Sequence, residues 1–185
     1  MSRIEVPIEK AYRLINHGAC PLVSTRDGVR RNVAPINWTI PISDDPPLVL
    51  CAVGEGCFTD ELLKASGEFA LNVVGESLAP ALLHCGKRSG RNGDKFSSAG
   101  LTPVPCASIR PPRVAEAFGH VECRVTATHP YEGVTLYVGR VVHAEVEEGF
   151  MDEGFLRPEK ARTIHHLGSG RFAVADRLLV VPREK

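Results

Sequence analysis

The sequence has no excess of charge of either sign, because 22 Lys and Arg residues are balanced by 22 Asp and Glu residues. Domains that bind the phosphate backbone of nucleic acids usually carry a clear basic surplus. We therefore expect no nucleic-acid partner. The balance excludes a charged surface, but it leaves room for a local basic pocket that binds one small anion.

Long apolar runs and paired cysteines are also missing. The longest apolar stretch, Pro46 to Val53, is far shorter than the roughly 20 residues that span a bilayer, so we expect no membrane segment. The first residues include acidic side chains and a proline where a signal peptide needs an apolar core. The six cysteines are scattered without a CxxC pair, which is typical of reduced thiols in a protein core. We expect a cytoplasmic protein without a disulfide framework.

Several catalytic and nucleotide-binding motifs do not occur. The chain has no GxxxxGK[ST] loop, no GxGxxG turn after a strand and no GxSxG elbow. His165 and His166 are adjacent, so on a strand they point to opposite faces, and no acidic residue lies at ligand spacing. We therefore expect no metal site and assign no catalytic side chain.

What the chain does contain is a series of short elements, which fits one domain over residues 1–185. Irregular strand spacing without βαβ alternation predicts a mostly β fold with peripheral helices, either a barrel or a sandwich. In the last long strand, Val142, Ala144 and Val146 alternate with polar residues, so one face is expected to be solvated. The predicted strands are 22–25, 29–38, 48–53, 69–74, 118–128 and 134–147, and the predicted helices are 8–16, 59–66 and 76–85.

The segment from Asn32 to Trp38 contains the only Trp of the chain and two Asn amides, at positions 32 and 37. Amide groups beside an aromatic side chain suit a planar heteroaromatic ligand, which needs in-plane hydrogen bonds and a surface against its ring. The alternative is an ordinary loop whose Asn side chains bond their own backbone and whose Trp lies in the core. The residues alone favour this alternative.

Residues 84–96 form a glycine-rich segment with four cations, Lys87, Arg88, Arg91 and Lys95, and a single carboxylate. A flexible backbone with cations can surround a phosphate. Thr59 is predicted to cap a helix, and free N–H groups at a helix start also favour an anion. The alternatives are a solvated loop and an ordinary helix cap.

Taken in order, these segments resemble flavoredoxins and flavin reductase-like proteins of the FMN-binding split-barrel superfamily. The resemblance runs from about residue 8 to about residue 174. It implies an antiparallel Greek-key split barrel that forms a homodimer and holds FMN near the subunit interface. The segments that carry it are PLVST at 21–25, NVAPINW at 32–38, PIS at 41–43 with DPP at 45–47, FT at 58–59, GEFALN at 67–72, CG at 85–86, SGR at 89–91, DKF at 94–96 and LYVG at 136–139.

The resemblance also implies which residues contact the cofactor. Asn32 and Trp38 would line the flavin, Thr59 and Lys95 match family positions that contact FMN, and Phe172 would contact the ring. Further contacts are expected from Ala34, Pro35 and Asn37 by motif position, and from Ser89 and Arg91 as phosphate ligands on the basis of charge and loop flexibility.

The chain departs from the family pattern at three positions. Val134 stands where members with the flavoredoxin arrangement often carry His, Arg140 replaces a common Glu, and Asn37 replaces a common Ser. The resemblance implies an oxidoreductase in which FMN accepts a hydride from NADH or NADPH and passes electrons to free flavin, oxygen or a redox protein. The alternatives are a non-enzymatic FMN electron carrier and a split-barrel binding module that has lost FMN.

Overall fold

The structure, a computed structural model, describes residues 4–16 and 18–181. In this part of the chain the α-helices are α1 (Phe58–Ser66), α2 (Ala79–Gly86), α3 (Lys95–Ser98) and α4 (Pro158–Ala161), and 3-10 helices occupy Ile8–Leu14, Glu76–Leu78 and Gly90–Asn92. The strands are β1 (Leu22–Asp27), β2 (Arg30–Pro35), β3 (Thr39–Asp44), β4 (Pro47–Gly54), β5 (Glu68–Val73), β6 (Pro103–Val104), β7 (Arg113–Val114), β8 (Gly119–Tyr131), β9 (Val134–Val146), β10 (Met151–Asp152), β11 (Phe155–Leu156), β12 (Ile164–Gly168) and β13 (Arg171–Val174).

One seven-stranded antiparallel sheet dominates the fold, in the order β2-β1-β5-β8-β9-β4-β3. Its centre is the β8–β9 hairpin, in which two strands of 13 residues each pair along their whole length. The turn at Glu132 and Gly133 has positive φ at both residues, the conformation that matches the twist of paired strands. The mostly β prediction and the two long strands after residue 118 are therefore confirmed.

Both faces of the sheet are covered around β1. Successive side chains of a strand point to opposite faces, so the fully buried Leu22 and Val23 of β1 belong to two different core clusters. Leu22 packs with Leu82 of α2 and Phe96 of α3. Val23 packs instead in the second cluster, which contains Leu63 of α1. The helices therefore lie against opposite sides of β1, and their ends come close to β2.

The structure differs from the predicted elements at the N-terminal segment and at the end of β9, and the predicted strand 29–38 ends at Pro35 as β2. The N-terminal segment forms a 3-10 helix at Ile8–Leu14 with no buried residue, so its apolar positions do not pack against the core. His17, predicted to help end this helix, lies outside the described residues. At the end of β9, Ala144 and Val146 are exposed, whereas the buried alternation lies earlier, at Thr135 and Tyr137. Alternation identified an apolar face there, but nothing in the described chain covers it.

The proline-rich crossing at residues 101–113 is irregular, as predicted, and one buried carboxylate fixes it to the sheet. Glu122 of β8 is fully buried and accepts hydrogen bonds from the backbone N–H groups of Ala107 and Ser108, both at 2.7 Å. A buried carboxylate is stable only when it is bonded in this way. These two bonds hold the crossing against the centre of the sheet.

Four cysteines are small core residues, as predicted: Cys20, Cys51, Cys85 and Cys123 are buried and reduced. Burial raises the pKa of the Cys51 thiol to about 11 and that of Cys20 to about 12. Cys57 is exposed and Cys106 is half-buried. Within residues 4–16 and 18–181, no helix has the length and apolar character needed to cross a bilayer.

Candidate functional site

A cavity of about 520 Å³ lies where β2, the start of α1 and the loop between α2 and α3 meet. We call it the central cavity. Its volume falls in the range that small-molecule sites occupy. Seven of the ten residues predicted from the sequence line it: Asn32, Ala34, Pro35, Thr59, Ser89, Arg91 and Lys95.

Asn32 and Thr59 form a buried polar pair in this cavity. The Asn32 side-chain N–H donates to the Thr59 hydroxyl at 2.9 Å, and the two residues are only 2% and 3% exposed. The Oδ1 atom of Asn32 is buried and has no hydrogen-bond partner among the described residues. A buried polar atom without a partner is costly, so its presence beside a cavity indicates that a ligand supplies the missing bond.

Gly90 completes the wall around Asn32. A Cβ atom at this position would lie 2.3 Å from Asn32 Oδ1 and 2.7 Å from the Phe58 ring, so only glycine allows the loop to approach β2 this closely. The close approach was not predicted from the sequence. Gly90 belongs to the cation-rich segment 84–96. Its role could not be predicted because it depends on contact with Asn32 of β2, which is distant in the sequence.

Lys95 is the buried cation of the cavity, with only 4% of its surface exposed. Its ammonium group donates to the Cys85 carbonyl oxygen at 3.0 Å, which uses one of its three N–H donors. Burial lowers the pKa of Lys95, and the thiol groups of Cys85 and Cys57 act in the opposite direction. A buried ammonium needs a negative partner to be favourable, so this position suits an anionic ligand.

Helix α1 begins at Phe58, and its N-cap lies two residues before the predicted one. Cys57, and not Thr59, is the N-cap, because its sulfur accepts from the backbone N–H of Asp60 at 3.5 Å. Thr59 therefore lies inside the first turn, and its hydroxyl accepts from Asn32 instead of capping the helix. The prediction of Thr59 as a cap was wrong, but its expected position beside the cavity is where it lies.

Asp60 fixes the start of α1 against the sheet and was not predicted from the sequence as part of the site. It accepts from the Tyr137 hydroxyl at 2.5 Å, from Gly56 N–H at 2.8 Å and from Lys64 at 2.8 Å. Burial alone would raise the pKa of Asp60, but the bonds from Lys64, Tyr137 and Gly56 hold it below its ordinary value. The carboxylate thereby positions Thr59 toward the cavity.

The loop between α2 and α3, which belongs to the cation-rich segment 84–96, is held by hydrogen bonds and is not a free solvated loop. Ser89 accepts from the Arg91 backbone N–H at 3.3 Å and caps the 3-10 helix Gly90–Asn92. The Arg91 guanidinium donates to Glu61 at 3.0 Å and to the Gly56 carbonyl at 2.9 Å, and it lies 5.6 Å from the centre of the Phe58 ring. The loop is therefore tied to the start of α1, which keeps its cations beside the cavity.

The other three predicted residues line two neighbouring cavities, which share Pro35 with the central cavity. Asn37 and Phe172 line one of about 690 Å³, and Asn37 and Trp38 line one of about 410 Å³. Trp38 is 49% exposed, so it is not a core residue, and it forms an edge contact with Tyr12 at 6.2 Å.

His166 was not predicted as a site residue, yet it lines both neighbouring cavities. Its ring lies 5.2 Å from that of Phe172, its partner across the β12–β13 hairpin. Asn37 donates to Asn16, and the Oδ1 atom of Asn37 is buried without a partner among the described residues. Both polar atoms and aromatic surfaces are therefore available on this side of Pro35.

Val134 occupies the position where flavoredoxin-like members often carry His. It pairs with Gly54 of the neighbouring strand β4, and Gly54 lines the central cavity. The substitution therefore lies beside the candidate site. In residues 4–16 and 18–181, no three His, Cys, Asp or Glu side chains come together in a group that could hold a metal ion.

Comparison with known proteins identifies the family of this chain. The model of the flavin reductase like domain matches residues 16–165. The chain belongs to this family. A relative of similar length is the uncharacterised protein YddH of Escherichia coli, which is 32% identical over 184 residues, or 96% of this chain and 97% of YddH. The reductase component of a 4-nitrophenol monooxygenase from Rhodococcus opacus is 29% identical over 150 residues, or 77% of this chain and 76% of that protein.

Solved structures of the flavin reductase-like class share the fold. Flavoredoxin of Desulfovibrio vulgaris superposes with a TM-score of 0.85 at 22% identity and covers 98% of this chain and 97% of its own. An FMN-binding protein from Thermus thermophilus gives a TM-score of 0.82 at 26% identity, with 98% and 99% covered. The fold of this chain is therefore the split barrel, as the resemblance implied.

Proposed function

We propose that this member of the flavin reductase-like family binds FMN and acts as an NAD(P)H-dependent oxidoreductase. The observation that carries the proposal is the central cavity, where a buried ammonium, Lys95, lies with the unpaired amide oxygen of Asn32. A phosphorylated ligand with N–H or O–H donors supplies both missing partners. FMN combines a phosphate, ribityl hydroxyls and a ring N–H, so the residues present fit this cofactor.

Charge supports a division of the site into two parts. Lys95, Arg91 and Ser89 would hold the phosphate, because charge-assisted bonds to phosphate oxygens are the strongest that these side chains make. Asn32 and Thr59 would bond the next polar part of the cofactor. On the other side of Pro35, the ring would meet Asn37, Trp38 and Phe172, of which Trp38 and Phe172 offer aromatic surfaces. Ala34 would contact the cofactor from the central cavity.

The cofactor, when bound, supplies the hydride and electron chemistry, and the protein positions it and sets its electrostatic surroundings. The backbone around Gly90 and the wall formed by β2 exclude solvent from the Asn32 amide, which strengthens each bond made there. Asp60, held by Tyr137, keeps the start of α1 in place. No side chain is assigned to transfer a proton.

We further propose that the chain is one domain over residues 1–185 and works as a cytoplasmic homodimer, with FMN near the subunit interface. The exposed Trp38 and the apolar residues of edge strand β3 that follow it support this assembly. The electron partners would be a nicotinamide cofactor, free flavin or a redox protein.

The test is the visible spectrum of the purified full chain, followed by anaerobic addition of NADH and then of NADPH. We expect flavin absorption maxima that bleach with at least one donor. A flavin spectrum that neither donor bleaches would favour an electron carrier that is reduced by a protein. A colourless protein that binds no added FMN would overturn the proposed function.

A further inference from the structure

One thiol of the chain is exposed, and it lines the central cavity. All six cysteines lie in the described part of the chain, and among them only Cys57 is exposed. Four others are buried in the core. Burial, assisted by the charge of Glu122, raises the pKa of the half-buried Cys106 to about 12. Because the thiolate is the reactive form of cysteine, Cys57 is the thiol that a reagent in solution can modify.

The Cys57 sulfur lies at the start of α1. It accepts a hydrogen bond from the backbone N–H of Asp60 at 3.5 Å, which holds it at the N-terminal end of the helix. The ammonium groups of Lys95 and Lys64 both interact electrostatically with Cys57. Reactive cysteines occur in exposed positions of this kind, beside helix N-termini and cations.

The cavity beside the sulfur is built for an anion. It contains the Oδ1 atom of Asn32, which is buried and has no partner among the described residues, and the buried ammonium of Lys95. None of the described residues that line the cavity is Asp or Glu, whereas four are cations: Lys87, Arg88, Arg91 and Lys95. Small anions are therefore drawn to the space next to Cys57.

We propose that Cys57 is a thiol–disulfide exchange site, at which an anionic disulfide such as oxidised glutathione forms an adduct that closes the central cavity to the flavin. The Cys57 thiolate attacks one sulfur of the disulfide, the S–S bond of the reagent breaks, and a new S–S bond joins Cys57 to one half of it. The other half leaves as a thiolate, so Cys57 is oxidised and one reagent sulfur is reduced. The proposal rests on the proposed function, because the effect of the adduct is loss of FMN binding.

The adduct and the flavin would compete for the same space. Thr59, two residues after Cys57, accepts from Asn32, and all three residues line the cavity. A glutathione bonded to Cys57 would place its carboxylates among the cations that the flavin phosphate needs. Bound FMN would in turn shield the Cys57 sulfur from the disulfide.

The experiment treats the folded, flavin-free, full-length chain with oxidised glutathione and measures the intact mass and the FMN affinity. We expect one glutathione per chain and a dissociation constant for FMN that rises about tenfold or more. Dithiothreitol should restore both values, and FMN added first should slow the modification. Cystamine, a disulfide with two cationic ends, should react about fivefold or more slowly, because the cavity repels it.

Cys57→Ser tests the assignment, because serine keeps a side-chain acceptor at the helix cap and has no thiol. This variant should gain no mass, and treatment should leave its FMN affinity unchanged. Cys106→Ser is the matched control, since it removes the half-buried thiol outside the cavity and should be modified as the wild-type chain is.

The outcomes separate this proposal from the proposed function. A wild-type chain that gains no glutathione, a modified chain with unchanged FMN affinity, or a Cys57→Ser variant that is still modified would overturn the Cys57 proposal alone. Equal rates with cystamine and oxidised glutathione would overturn the selection of anionic disulfides. If the untreated wild-type chain bound no FMN, the proposed function would fail, and with it the effect of the adduct.

Discussion

At the scale of single residues, the site is defined by buried polar groups whose bonding is incomplete within the described chain. Asn32 has an unpaired amide oxygen, and Lys95 is a buried ammonium with one described bond. Both lie on the same cavity as Thr59. The buried carboxylate of Glu122 is satisfied by two backbone N–H groups, whereas the incomplete bonding of Asn32 and Lys95 faces a cavity and so points to a ligand.

Removal of the Lys95 charge tests this interpretation. In Lys95→Gln, we expect the dissociation constant for FMN to rise about tenfold or more, because a charge-assisted bond to the phosphate is lost. Fluorescence titration measures the change. Lys160→Gln, which alters an exposed lysine of α4 that bonds a backbone carbonyl, should leave the constant unchanged. Equal affinity of all three chains would show that Lys95 does not contact the ligand.

The lowered pKa of His120 predicts how the free energy of unfolding depends on pH. Burial, assisted by the charge of Arg113, lowers the pKa of His120 from 6.5 to about 4. Between these values the unfolded chain binds the proton more readily than the folded chain does. The free energy of unfolding should therefore fall as the pH drops from about 6.5 toward 4, by up to about 1.4 kcal/mol per pH unit.

Urea unfolding at several pH values measures this dependence. His120→Gln removes the titrating group and should flatten the curve in this interval, although the variant is expected to be less stable at neutral pH because the ring bonds Asn72. An unchanged slope in the variant would assign the pH dependence to other groups.

At the scale of elements, the sequence predicted what depends on local pattern. The long strands β8 and β9 and helices α1 and α2 were expected near their observed positions, because their apolar periodicity and turn residues are local signals. The 3-10 helix Ile8–Leu14 shows the limit. Its spacing identified an apolar face, but periodicity cannot say whether another element covers that face, and in the described chain none does.

Part of the candidate site could also be predicted from the sequence. Asn32, Thr59 and Lys95 belong to segments that each suggested ligand binding, and the family resemblance placed them in one site. The contacts that hold these residues together could not be predicted from the local sequence, because they involve segments that are distant in the chain. Cys57 is the helix cap while Thr59 bonds Asn32, and Gly90 is required because Asn32 of β2 lies against it.

Packing of the central hairpin gives a prediction at this scale. A Cβ atom at Gly139 of β9 would lie 2.5 Å from the Phe69 ring, in the core. Gly139→Ala should therefore lower the free energy of unfolding by about 1–3 kcal/mol, the usual cost of overpacking. Gly54→Ala in the paired strand β4 is the control, since its Cβ would meet no atom within 4 Å. Equal stability of the two variants in urea would contradict this account of the hairpin.

At the scale of the whole molecule, the main feature is an apolar edge of the sheet that a single chain leaves exposed to solvent. Strand β3 is the last in the sheet order, and Ile40 and Ile42 point outward at 52% and 45% exposure, next to Trp38. Exposed apolar edge strands tend to pair with another chain. We therefore expect the homodimer to cover this edge.

Ile40→Lys tests the dimer proposal. The variant should shift the chain from dimer toward monomer in sedimentation measurements, and it should weaken FMN binding if the cofactor lies near the interface. Val29→Lys, on the exposed turn between β1 and β2, is expected to leave the assembly unchanged. A wild-type chain that sediments as a monomer would overturn the proposal.

The central claim is that the cavity between β2, α1 and α3 holds FMN. Its most direct test is titration of the folded, flavin-free chain with FMN, followed by flavin fluorescence. We expect saturable quenching at one FMN per chain. Unchanged fluorescence throughout the titration, with circular dichroism showing that the chain is folded, would contradict it.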